Sequence, residues 1–317
     1  MSASNNGFPS RPESIQPSHP VADPSNRLTD AEIARFHADG FLVRKSFFVL
    51  DEIAPLIDAC HADPDVDGAV SALSDSRGQP QEVATWTRLG NDLCGVFPRV
   101  ARMVEAAEAL LNLPVYHWHS KLSMKRPGSS GSWDWHQDFG YWYGEGTLYP
   151  DFVTVTVALD RIDRDNGCLK LVKGSQRCGR IDIKNFGEAS GTDPERLNWI
   201  FERHETIECT VEPGDVVMYH SNTLHASGPN TSDRPRTLIH CAYNAIDNAP
   251  LAAGQERHAY QPLVKLADDA LAKREYEGIF VNQRFVHLGL GKNENAYGYR
   301  LLKRAQRTLD GRAGEEW

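Results

Sequence analysis

Apolar and polar positions change rhythm twice along this chain. In its first third, Thr29 with Glu32 makes a capping box that predicts a short helix ended by Gly40, and "FLVRKSF" then reads as a strand. Residues 51–61 and 98–112 carry apolar positions at helical spacing, among them Val100, Met103, Val104, Ala107 and Leu111. From about residue 115 the period falls to two. In "DFVTVTVALD" Val153, Val155, Val157 and Leu159 share one face, and Thr154, Thr156 and Ala158 share the other. Turn clusters at "RDNG", "VEPGD" and "SGPNTSDRPR" separate short apolar runs such as "CLKLV", "DVVMY" and "TLIHCAY". This spacing predicts a mainly β fold with flanking helices, a sandwich or barrel rather than a parallel α/β sheet. After about residue 250 the pattern is helical and polar again. There Arg300, Lys303, Arg304 and Arg307 fall near one face, which for such a helix is usually a solvated one. Residues 1–27 are rich in Ser, Pro and Asn without an apolar period and are expected to form a disordered leader, ahead of a single domain over 28–310.

Composition narrows the function classes. The 317 residues are 40% hydrophobic and 24% charged, ordinary for a globular chain. A net charge of −9 gives no electrostatic footprint for nucleic acid or an anionic membrane. No apolar run is long enough to span a bilayer, and the N-terminus lacks the apolar core of a signal peptide. The six cysteines show no C-x-x-C pair, which suggests neither a zinc knuckle nor a disulfide framework and fits a reducing, cytoplasmic setting.

The chemistry gathers in two segments. "SWDWHQDFGYWY" surrounds one His-x-Asp with three tryptophans, Phe139, Tyr141 and Tyr143. On a strand His136 and Asp138 would point the same way, either to share a metal or to form an ordinary hydrogen-bonded pair. Downstream, "PGDVVMYHSNTLHASGPNTSDRPR" offers His220, His225, Arg234 and Arg236. Two histidines and a carboxylate on one side of a metal make the facial triad of non-haem Fe(II) oxygenases. A zinc site would favour more His or Cys in a closed tetrahedron.

From about Thr29 to Tyr243 the chain resembles the phytanoyl-CoA dioxygenase family of Fe(II)/2-oxoglutarate oxygenases. The segments "LTDAEIARFHADGFLV", "HQD", "DNGCLKLVKGSQ", "PGDVVMYH" and "HASGPNTSDRPR" fall in the family's order. "WHQDFGYW" is similar to the ectoine hydroxylase branch in particular. The resemblance implies a double-stranded β-helix, a cupin-like jelly roll, with Fe(II) and 2-oxoglutarate as cofactors. It implies His136, Asp138 and His225 as iron ligands, His225 being preferred to His220 because Arg236 follows it by eleven positions. Arg236 would take the far carboxylate of 2-oxoglutarate with Ser227 beside it, a two-pronged pairing that suits a guanidinium. Gln137 and Ser123 are further co-substrate candidates, Lys121 and Lys125 lie near the same strand, and one family branch has a tryptophan at the position of Thr156. Trp142, Phe139 and Tyr141 are the substrate-side candidates, whereas core packing suits at least one of Trp133 and Trp135. The carboxylate of Asp138 points to hydroxylation, because halogenating relatives carry a small residue there. The expected partners are a small organic substrate, an amino acid derivative or a natural-product intermediate, and O2. An acyl-CoA, or binding without turnover, is the alternative.

Overall fold

The computed structural model describes residues 23–186, 189–251 and 258–279. The helices among them are α1 (Asp30–Asp39), α2 (Leu50–Ala62), α3 (Pro64–Ala69), α4 (Leu93–Val96), α5 (Ala101–Leu111), α6 (Asp138–Gly144) and α7 (Pro194–Phe201). The strands are β1 (Phe41–Arg44), β2 (Ser71–Ser74), β3 (Pro80–Trp86), β4 (Val115–Lys125), β5 (Trp133–His136), β6 (Phe152–Ala158) and β7 (Leu169–Val172). They continue with β8 (Ile183–Phe186), β9 (Ala189–Thr192), β10 (Thr206–Cys209), β11 (Val216–His220), β12 (His225–Ser227) and β13 (Arg236–Ala245).

Seven strands form one antiparallel sheet in the order β1-β11-β6-β13-β4-β3-β2, and four form a second in the order β10-β7-β12-β5. Sequence-distant strands become neighbours in this arrangement, the jelly roll of a double-stranded β-helix. The alternation of β6 explains its central place. Val153, Val155 and Val157 pack with α2 and α5 residues such as Ile53, Leu56, Val104 and Ala107 on the outside of the large sheet. Thr154 and Thr156, equally buried, face the space between the sheets.

The capping box at Thr29 forms as expected, and Gly40 closes α1 at φ 84. A side chain there would collide with Gln176 and Thr223, so the residue that ends the helix also lets β1 enter the sheet. Two expectations need correction. The leader does not run to residue 27: Asp23 and Asn26 both bond to Asp268, and Arg44 donates to the carbonyls of Ser25, Asn26 and Arg27. Residues 258–279 form turns and extended chain instead of a helix. Leu266 exchanges backbone bonds with Arg99 and Ala101 at the start of α5, which commits its backbone away from helix. The basic stretch at 300–307 lies outside the described residues.

Candidate active site

The short pair β5–β12 carries the centre of the site. His225 lies opposite His136, and Ser227 lies opposite Trp133. Two steps along β12 therefore match three along β5, so β5 holds an extra residue. A bulge of this kind resets the face alternation. Trp133 and His136, an odd and an even position, consequently both line the cavity. Asp138 does not continue the strand: β5 stops at His136, Gln137 holds the N-cap position of α6 without a side-chain capping bond, and Asp138 is the helix's first residue.

Asp138 Oδ1 is 3.8 Å from Nε2 of His136 and 3.8 Å from Nε2 of His225. One ligand-type atom from each of the three falls within 4.8 Å of the others, and all three residues are buried. Each imidazole is oriented by a carbonyl at its other nitrogen: His136 Nδ1 donates to Asp134 O at 2.6 Å and His225 Nδ1 to Thr223 O at 2.9 Å. Both Nε2 atoms are thereby left as bare acceptors. Thr154 holds the second Asp138 oxygen at 3.3 Å. Burial, with the neighbouring His225, pushes His136 down to about 3, and burial lowers His225 as well. Neutral imidazoles and one carboxylate with free lone pairs are the donor set a divalent iron requires.

The triad opens onto a small cavity lined by Lys121, Trp133, Tyr219, Ser227, Arg236 and His240 among others. Arg236 is 1% exposed and has no acidic partner within salt-bridge distance among the described residues; one Nη donates to Ser123 at 3.0 Å. Its Nε and the Ser227 hydroxyl make no hydrogen bond among the described residues. Burial lowers the guanidinium to about 10. A buried cation with an unused donor beside an unused hydroxyl fits an incoming carboxylate.

Several candidates sit elsewhere. The Gln137 amide is spent on the chain itself, donating to Gly179 and Asn222 carbonyls and accepting from Ile181 N–H, so it offers nothing to a co-substrate. Ser123 accepts from Arg236 and from Trp133 Nε1, the position of a brace. Trp142 and Phe139 are buried with Tyr116, Trp118 and Phe152, because the helical period of α6 turns them into the core. Of the three proposed substrate-side aromatics only Tyr141 stands against the triad, its ring 5.8 Å from that of His136. Of the two preceding tryptophans, Trp135 packs against a core cluster, and Trp133 lines the cavity with the Lys121 ammonium 4.7 Å over its ring. Lys125 donates to the carbonyls of Gly131 and Gly228. His220 accepts from Asn222 N–H, and Arg234 pairs with Asp163.

Sequence reasoning missed Tyr219 and His240. His240 was available from alternation, since it lies four positions after Arg236 on the same strand. Tyr219 was overlooked beside the more conspicuous His220.

Comparison with known proteins agrees with this geometry. L-proline trans-4-hydroxylase of Streptomyces griseoviridis is 30% identical over 176 residues, covering 50% of this chain and 66% of that enzyme, just under two thirds of it. Ectoine dioxygenase of Sphingopyxis alaskensis is 28% identical over 265 residues, 76% of this chain and 86% of that enzyme. The crystal structure of EctD from S. alaskensis with 2-oxoglutarate and 5-hydroxyectoine superposes with a TM-score of 0.64 at 23% identity, covering 78% of this chain and 94% of that one, and shows the shared fold. The family description for phytanoyl-CoA dioxygenase (PhyH) matches residues 36–238, well over half of the sequence, and the chain belongs to that family.

Proposed function

We propose that this protein is an Fe(II)- and 2-oxoglutarate-dependent dioxygenase that hydroxylates a small organic molecule. The observation that carries the reading is the pairing of a buried His136–Asp138–His225 cluster with a buried Arg236 that has no acidic partner among the described residues, across one cavity. His136, Asp138 and His225 would hold the metal, and Arg236 with Ser227 would hold the far carboxylate of the 2-oxo acid. When bound, iron and the 2-oxo acid supply the oxidising chemistry: one oxygen atom of O2 enters the substrate and the other enters succinate as CO2 leaves. The chain's own part is to position. Ser123 fixes the guanidinium, Thr154 fixes Asp138, and Trp133, Tyr219 and Tyr141 would limit water at the reacting centre.

Relatives named for L-proline and ectoine support a compact, polar substrate such as an amino acid derivative. Tyr141, whose ring lies 5.8 Å from that of His136, and Trp133 in the cavity wall would contact it. A cytoplasmic location belongs to the same reading; among the described residues no helix is long and apolar enough to cross a membrane. The test is succinate formation from 2-oxoglutarate with Fe(II) and O2, measured without substrate and then with amino acids, ectoine-type osmolytes and acyl-CoAs. Absence of both 2-oxoglutarate binding and slow uncoupled turnover overturns the reading. Turnover with acyl-CoA alone replaces its substrate class.

A further inference from the structure

We propose that His240 is a third residue contacting the co-substrate, a neutral imidazole that donates from Nε2 to the end of the 2-oxo acid remote from Arg236. This rests on the function proposed above and deepens it.

Placement comes first. In β13, His240 is the Cα partner of Lys121 in β4 and of Thr156 in β6. Arg236 and His240 share the inner face of β13, two alternations apart, and both line the cavity with the two triad histidines. A five-carbon diacid whose one carboxylate rests on Arg236 would extend along the inner face of β13, where His240 is the next polar side chain, with Leu238 between them.

Protonation comes second. His240 Nδ1 is 2.8 Å from the Thr156 hydroxyl. Burial holds the imidazole well below its ordinary value, and the charges of Lys121 and Arg236 push the same way. The ring is therefore neutral and carries one proton. If Thr156 donates to Nδ1, that proton sits on Nε2 and faces the cavity as a donor. A carboxylate can only accept, so the anion selects this tautomer. His240 thus adds a directional hydrogen bond where Lys121 adds charge.

The test is 2-oxoglutarate binding to Mn(II)-loaded protein by calorimetry, which does not depend on turnover. His240→Phe keeps ring volume and removes the donor; His240→Gln keeps an N–H near the Nε2 position. The expected result is a loss of about 10- to 100-fold for H240F, a loss within a few-fold for H240Q, and unchanged Mn(II) affinity in both. Nitrogen NMR of the Zn(II)-loaded protein should show His240 protonated at Nε2, with that proton moving downfield when 2-oxoglutarate is added. Wild-type affinity in H240F, a parallel loss of Mn(II) binding, or a proton on Nδ1 overturns the proposal. Failure of the wild-type protein to bind 2-oxoglutarate is a different result, and it overturns the function itself.

Discussion

His136 and His225 stand directly opposite each other in β5 and β12, and each gives its Nδ1–H to the carbonyl two residues before it. The two ligand strands thus use the same local device to aim Nε2 at Asp138. His136→Ala and His225→Ala should each weaken Co(II) or Mn(II) binding by at least about 100-fold, because ligand loss exceeds what misorientation alone costs. The far-UV circular dichroism spectrum should stay unchanged, since the imidazoles line a cavity and are not packed in the core. Full metal affinity in either variant would move the metal away from this pair.

Ser123 does not face the cavity as a ligand but steadies Arg236 and Trp133 together. Ser123→Ala should raise the 2-oxoglutarate dissociation constant by about 2- to 12-fold, the worth of one ordinary hydrogen bond, with metal affinity untouched. Titration of metal-loaded protein measures both quantities. An unchanged constant would restrict Ser123 to bracing Trp133.

Gln137 sits between two metal-site residues yet serves the fold. Gln137→Leu fills the same space and strands two carbonyls and the Ile181 N–H. A destabilisation of about 2–4 kcal/mol by urea unfolding is expected. A stability loss below about 1 kcal/mol, accompanied by weaker 2-oxoglutarate binding, would return the residue to the co-substrate.

His117 supplies a pH dependence away from the site. Burial pushes it down to about 3, against a weaker opposing bond with the Thr87 backbone, and its Nε2 pairs with Ser120 at 2.8 Å. The unfolded chain takes up this proton near 6.5 and the folded one only near 3. The unfolded state therefore binds more protons between these values. Stability from this group is full above pH 6.5 and is lost as pH falls toward 3, at up to about 1.4 kcal/mol per pH unit. His117→Gln keeps a partner for Ser120 and should show a shallower fall in melting temperature between pH 6.5 and 4. Parallel curves for the two proteins would refute the assignment.

What the sequence disclosed and what it hid divide along one physical line. Alternation exposed both faces of β6, and the capping box at Thr29 located α1 to the residue. His136, Asp138, His225 and Arg236 were legible as residue types at the family's spacing, and the fold brings them together around one cavity. Hidden were the features that depend on a break in periodicity. The extra residue in β5 turned Trp133 inward, and the change from strand to helix after His136 sent Trp142 into the core. Neither break carries a Gly or Pro to announce it. Gln137 was misjudged because its partners, Gly179, Ile181 and Asn222, lie more than forty positions away.

The cavity is walled by both layers of the jelly roll. His136, His225 and Ser227 project from the four-stranded sheet, while Arg236, His240, Lys121 and Tyr219 project from the seven-stranded one. A molecule gripped by the triad at one end and by Arg236 at the other rivets one layer to the other. Separating the layers then requires releasing it, so ligand concentration sets the melting temperature as directly as any core contact does. The rivet needs both of its ends: a dicarboxylic 2-oxo acid should raise the melting point of metal-loaded protein, and pyruvate, with the keto acid but no second carboxylate, should not.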